Sequence, residues 1–160
     1  MLANPKLFPF EEAVQIRRKC KNRDIVLTNG CFDLLHAGHV FSLQQAARFG
    51  ELWVALNGDA SIHRLKGPQR PVIGERERAY MLAALECVRG IFIFDGPRLA
   101  RELEIFRPDI YVKSSDYTRE TLDLEEYSAL KKIDARIEFV PRLPNFSTSQ
   151  IIKKIQQLNA

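Results

Sequence analysis

A chain of 160 residues, 46% hydrophobic and 28% charged, has room for one domain with a real core, and its ordinary composition excludes disordered, collagen-like and disulfide-scaffold classes. Lys and Arg number 24 against 20 Asp and Glu, and the resulting +4 suits small anions such as phosphates without requiring nucleic acid. Cys20, Cys31 and Cys87 are too scattered for a disulfide framework and point to a reducing, cytoplasmic setting; no apolar run nears the roughly 20 residues of a membrane span, and residues 1–10 hold no signal-like stretch.

Residues 10–22 place Phe10, Val14 and Ile16 among Arg17, Arg18, Lys19 and Lys21, predicting a short amphipathic helix with a basic end. It reads as a packing appendage, so residues 1–23 are set apart from a main domain over 24–160. Residues 24–28 (DIVLT) predict a buried strand entering a turn at Asn29-Gly30. Val40, Leu43, Ala46 and Ala47 recur at helical spacing over 38–49, with Gly50 as the stop. The alternation continues as strand 52–56, helix 74–88, strand 91–94, helix 97–106, strand 110–112, helix 122–133, strand 136–140 and helix 148–158. Short apolar strands alternating with helices predict an α/β fold, a doubly wound five-stranded parallel sheet with ligands at the strands' carboxyl ends.

The loop after the first strand is Thr28-Asn29-Gly30-Cys31-Phe32-Asp33-Leu34-Leu35-His36-Ala37-Gly38-His39. Gly30 permits close backbone approach, Gly38 keeps the helix start free of bulk, and unpaired amides there favour an anion. Isolated histidines are usually surface or capping groups, but His36 and His39, three apart across a glycine-lined helix start, can face one oxyanion. No two glycines are separated by one residue and no GxxxxGK[ST] occurs, so dinucleotide and P-loop readings fail. A zinc site would need more ligands than these histidines and the distant His63 supply, so no protein-bound metal is expected.

The block from Thr28 to His39 resembles the HxGH signature of the cytidylyltransferase-like nucleotidyltransferases, a Rossmann-like superfamily. Asn57-Gly58-Asp59-Ala60-Ser61, Arg64-Leu65-Lys66-Gly67, Arg70-Pro71-Val72, Ala83-Ala84-Leu85-Glu86 and Ser147-Thr148 are similar to its heptose 1-phosphate adenylyltransferase branch. Glycerol-3-phosphate cytidylyltransferases are more distant. The resemblance implies transfer of AMP from ATP to a sugar phosphate with release of pyrophosphate, use of magnesium, a homodimer, and a separate sugar kinase upstream, since family members occur fused to one. Its alternatives are cytidylyl transfer to a small polyol phosphate and a non-catalytic nucleotide sensor; an RNA-binding role is disfavoured by the scattered basic residues.

Chemistry and residues agree with that implication. A phosphate nucleophile, with a second pKa of about 6, is already largely ionised at neutral pH, so the obstacle is charge repulsion rather than deprotonation. By resemblance His36, His39, Lys66 and Arg78 are the catalytic set, Lys66 lying on a mobile loop beside Gly67-Pro68 and Arg78 binding phosphate. Nucleotide contacts are expected from Asn29, Gly30, Cys31, Phe32 and Gly38, from Asn57 and Asp59, and from Ser147, Thr148 and Ser149 at the last helix start. The 141–144 stretch is expected near the base. Asp33, Lys113, Ser114, Ser115, Asp116 and Tyr117 are expected at the acceptor, where two serines replace the Gly-Gly of the heptose enzymes and reshape the pocket.

Overall fold

The computed structural model describes residues 4–158; residues 1–3 and 159–160, the ends of the two expected units, lie outside the described residues. In chain order the elements are α1 (Phe10–Lys19), β1 (Ile25–Gly30), α2 (Ala37–Ala46) with a 3-10 turn at Ala47–Phe49, β2 (Glu51–Asn57), α3 (Asp59–Lys66) and α4 (Glu75–Ala83). There follow β3 (Val88–Phe94), α5 (Ala100–Phe106), β4 (Ile110–Ser114), α6 (Leu124–Lys132), β5 (Arg136–Val140) and α7 (Thr148–Leu158). All five strands are parallel, in the order β3-β2-β1-β4-β5. The expected doubly wound α/β sheet is therefore present, with its order reversing between β1 and β4.

Each sheet face buries its own core, as continuous apolar strands require. Trp53, Phe92, Leu27 and Tyr111 meet Ala13 and Val14 of α1, Leu103 and Phe106 of α5, and Leu130 of α6. Val26, Val54, Leu56 and Ile91 meet Leu43 of α2 and Leu82 of α4 on the other face. Buried on both faces, those strands carry little of the period-2 alternation that marks a half-exposed sheet. The chain before α1 also lies along β3: Phe8 donates its amide to Ile91 O at 2.9 Å, and Ile91 returns one to Lys6 O at 2.7 Å. Hydrophobic periodicity misses that edge cover because it is a backbone contact.

Several boundaries differ from the sequence reading. β1 does not turn at Asn29-Gly30 but continues through both, because Asn29 pairs with Ala55 and Gly30 with Leu56. β3 begins three residues early, at Val88, where pairing with Leu52 extends the ladder. The expected loop from Asn57 to Arg70 contains α3, which buries Ser61 and Ile62 and ends at Gly67, whose φ of 91° suits glycine. Lys66 accordingly stands on the last turn of a helix rather than on a loop.

Candidate active site

Where the sheet order reverses, a cavity of about 840 Å3 opens above the carboxyl ends of β1 and β4. The β1–β4 ladder pairs only Val26 with Ile110 and Leu27 with Tyr111; above them Thr28 Oγ1 donates to Val112 O at 2.9 Å. Helices from both sheet faces reach over this gap. From one face come α2 and the start of α7, and from the other the α5–α6 region.

On the first wall, His36 is the N-cap of α2 and its Nδ1 lies 3.4 Å from the His39 amide. The two imidazoles stack with centroids 3.8 Å apart, and Phe32 meets His39 edge-on at 5.2 Å. Gly38 makes this possible: a Cβ there would lie 3.0 Å from the His36 ring and from Phe146 Cβ. Burial, then the adjacent His36, then Lys66 and Arg142, lower the His39 pKa to about 4. Burial and Arg142 lower that of His36 as well. His39 Nδ1 is buried without a hydrogen-bond partner in normal geometry. Both rings are therefore neutral near pH 7, crowded among cations, and gain most from an anion. Ser147, Thr148 and Ser149 line the same cavity, as does Lys66 on the last turn of α3.

The second wall begins at Asn29 Oδ1, which accepts from Lys113 Nζ at 2.6 Å and lies 2.8 Å from the Tyr111 hydroxyl. Lys113 sits over the rings of Tyr111 and Tyr117, at 5.5 and 5.1 Å. Burial lowers its pKa, against the raising influence of Glu126. Ser114 Oγ donates to Asp116 Oδ1, and Arg142 Nη1 donates to Asp116 Oδ2 at 2.8 Å, so the β4 loop is tied to the chain leading into α7. Among the expected residues, Asn29, Gly30, Cys31, Phe32, Gly38 and Asn57 line this cavity, as do Lys113, Ser114, Asp116 and Tyr117.

Four expected residues do not line it. Arg78 is fully buried and uses its guanidinium as a tie, donating to Ile73 O (2.9 Å), Cys31 O (2.6 Å), Asn57 O (2.8 Å) and Asp59 Oδ1 (2.7 Å). In this structure it holds three segments together and does not reach the cavity where the phosphate contact was expected. Asp59 is spent on that pair, and its amide on Glu75 Oε2 at 2.8 Å. Asp33, expected at the acceptor, is buried and staples the 70–73 segment by accepting from Arg70 Nη1 (2.6 Å), Val72 N (2.8 Å) and Ile73 N (3.1 Å). Ser115 is exposed and outside the lining; its amide donates to Val140 O at 2.8 Å.

The structure also adds lining residues that the sequence reading passed over, chiefly Arg98, Asp123 and Glu126. Asp123 caps α6, accepting from the amides of Glu125 (3.0 Å) and Glu126 (3.2 Å). Asp123-x-x-Glu126 is an N-cap pattern visible in the sequence, but here the glutamate turns to another helix and accepts from Leu99 N at 3.1 Å.

Residues 27–154 match the family model described as cytidylyltransferase-like. The chain belongs to that family. It is 46% identical over 145 residues to the "Bifunctional protein HldE" of Geotalea uraniireducens, covering 90% of this chain and 29% of that protein. It is also 46% identical over 138 residues to the protein of that name from Geobacter sulfurreducens, covering 86% and 28%. The chain thus spans less than a third of the length of these curated relatives. Among solved structures, the lipopolysaccharide core biosynthesis protein from Thermoplasma volcanium superposes with a TM-score of 0.61 at 25% identity, over 76% of this chain and 98% of that one.

Proposed function

We propose that the chain transfers AMP from ATP to a sugar 1-phosphate of the heptose type, forming an ADP-sugar and pyrophosphate. An oxygen of the acceptor's phosphate attacks the α-phosphorus, a new P–O bond forms, and the bond to the β-phosphate oxygen breaks. No proton need be removed from the nucleophile. The supporting observation is the stacked His36–His39 pair at a helix start, sharing one cavity with Lys66, Arg142 and the 147–149 hydroxyls. Such donors are worth most when aimed at charge that grows in the transition state. A bound triphosphate would favour the imidazolium forms that the unliganded site disfavours, so substrate binding itself would charge the histidines.

Magnesium is proposed as an ion carried by the triphosphate, since Mg2+ commonly keeps its waters and takes only one or two carboxylates from protein. Asp116, whose two oxygens accept from Ser114 Oγ and Arg142 Nη1, is proposed on the acceptor side with Lys113 and Tyr117. The acceptor's own phosphate would come from a separate phosphoryl-transfer step by a sugar kinase. A homodimer and a cytoplasmic location complete the proposal; the three cysteines are all free, and among the described residues no helix is long and apolar enough to cross a membrane. Pyrophosphate release with a panel of triphosphates and phosphorylated acceptors tests the reaction. ATP with a heptose 1-phosphate is expected to turn over fastest; no turnover with any pair would defeat the proposal, and a preference for CTP with glycerol phosphate would replace it.

A further inference from the structure

Glu126 is a carboxylate for which the reaction above assigns no task. It is 6% exposed, stands on the first turn of α6, and faces the cavity from the sheet side opposite the histidines. An ionised carboxylate offers about four acceptor positions. Leu99 N–H takes one on Oε1 at 3.1 Å. The Tyr111 hydroxyl lies 3.1 Å from Oε2 but also 2.8 Å from Asn29 Oδ1, and its single proton serves one of them. Lys113 Nζ stays 4.0 Å away, an ion pair without a short hydrogen bond. At least two acceptor positions are thus left on a nearly buried group, a costly arrangement unless donors arrive from the cavity.

The neighbours narrow the kind of donor. A phosphate would be repelled, and phosphate already has its cations on the histidine wall. Asp123 is not equivalent, since its oxygens are taken by the α6 amides and by Arg98 Nε. What remains is neutral donors presented in pairs, which in a nucleotidyl transfer to a sugar are vicinal hydroxyls. Burying a polar acceptor that only a hydroxyl satisfies is also how a site rejects an analogue lacking it, since the analogue leaves that acceptor unpaired.

We propose that Glu126 is a specificity residue that accepts hydrogen bonds from a pair of sugar hydroxyls in the cavity. The proposal rests on the nucleotidyl-transfer reading for its substrates. Two bound groups carry that chemistry, the nucleotide ribose and the acceptor sugar, and the experiment separates them. Wild type and Glu126→Gln, which keeps an oxygen for Leu99 N–H, are compared with ATP against 2′-deoxy-ATP and 3′-deoxy-ATP, and with the sugar phosphate against its monodeoxy analogues.

Expected is a wild-type preference of tenfold or more for one hydroxylated partner, read in KM, that collapses in Glu126→Gln while the KM of the other substrate stays within twofold. Collapse on the nucleotide arm assigns the ribose, and collapse on the acceptor arm assigns the sugar. If both preference ratios are the same in variant and wild type, even with a lower kcat, Glu126 is structural and the proposal is overturned. Should Glu126→Gln not fold, Glu126→Asp, which withdraws the carboxylate by one methylene, is expected to lose the same ratio, and an unchanged ratio overturns the proposal equally. If wild type turns over no acceptor, the nucleotidyl-transfer reading fails on its own. Calorimetric titration with ATP, the two deoxy-nucleotides, the sugar phosphate and its monodeoxy analogues then decides for Glu126, a loss of discrimination in the variant on either arm supporting it and unchanged discrimination on both overturning it.

Discussion

On the proposed reaction His36 and His39 would carry the chemistry, and their removal should separate catalysis from folding. His36→Ala and His39→Ala should each cost roughly 3 kcal/mol of transition-state stabilisation, about a hundredfold in kcat, with circular dichroism unchanged. His39 also predicts the acid limb of stability. Its pKa is about 4 in the folded chain against an ordinary 6.5, so between those values the unfolded chain binds more protons. Stability should fall as pH drops from about 6.5 toward 4 and be insensitive to this group above that window. Melting temperatures from pH 4.5 to 7.5 should show a flatter limb for His39→Phe than for wild type. Arg78 behaves differently. Arg78→Met would strand three backbone carbonyls, at about 1 kcal/mol or more apiece, so urea denaturation should show a loss of roughly 3 kcal/mol or more.

Among the elements, the motif-bearing loops were the most legible. The three-residue spacing of His36 and His39 around Gly38 marked the histidine turn, and Ser147-Thr148 the start of α7, because both are local requirements of a helix start. Asp33 and Arg78, expected at the cavity, instead tie loops together outside its lining. Charged side chains near a phosphate motif look alike in sequence whether they face substrate or tie two loops, and only tertiary placement separates them. α3 was hidden by Gly67-Pro68, which marks where the helix stops and says little about what precedes it. Glu126 escaped notice because its meaning depends on Leu99 and Tyr111, which lie 27 and 15 residues away. α6 supplies a prediction at this scale: Asp123→Ala removes two amide contacts at the N-cap and should cost about 1 kcal/mol, visible as a lower melting temperature.

For the molecule as a whole, the two-faced core explains why the sheet reading succeeded. Unbroken apolar strands separated by helical segments have few other ways to bury themselves. Packing on one face is tight enough to test. A Cβ on Gly90 would lie 2.5 Å from the Trp53 ring, so Gly90→Ala should destabilise by about 1–3 kcal/mol in chemical denaturation. The substitution sits near the opposite end of β3 from the cavity, and KM for both substrates should be unaltered.

The early parting of β1 from β4 has a consequence for how such a chain can change. The chamber owes its depth to a gap in the backbone, while its two jaws are mounted on opposite sides of the scaffold. On the proposed reaction the jaw that carries His36 and His39 would hold the triphosphate and could stay as it is. The other, built from the residues before α5 and the start of α6, would on the same reading face sugar hydroxyls, so exchanging that segment between relatives is expected to move sugar preference without dismantling the phosphorus chemistry.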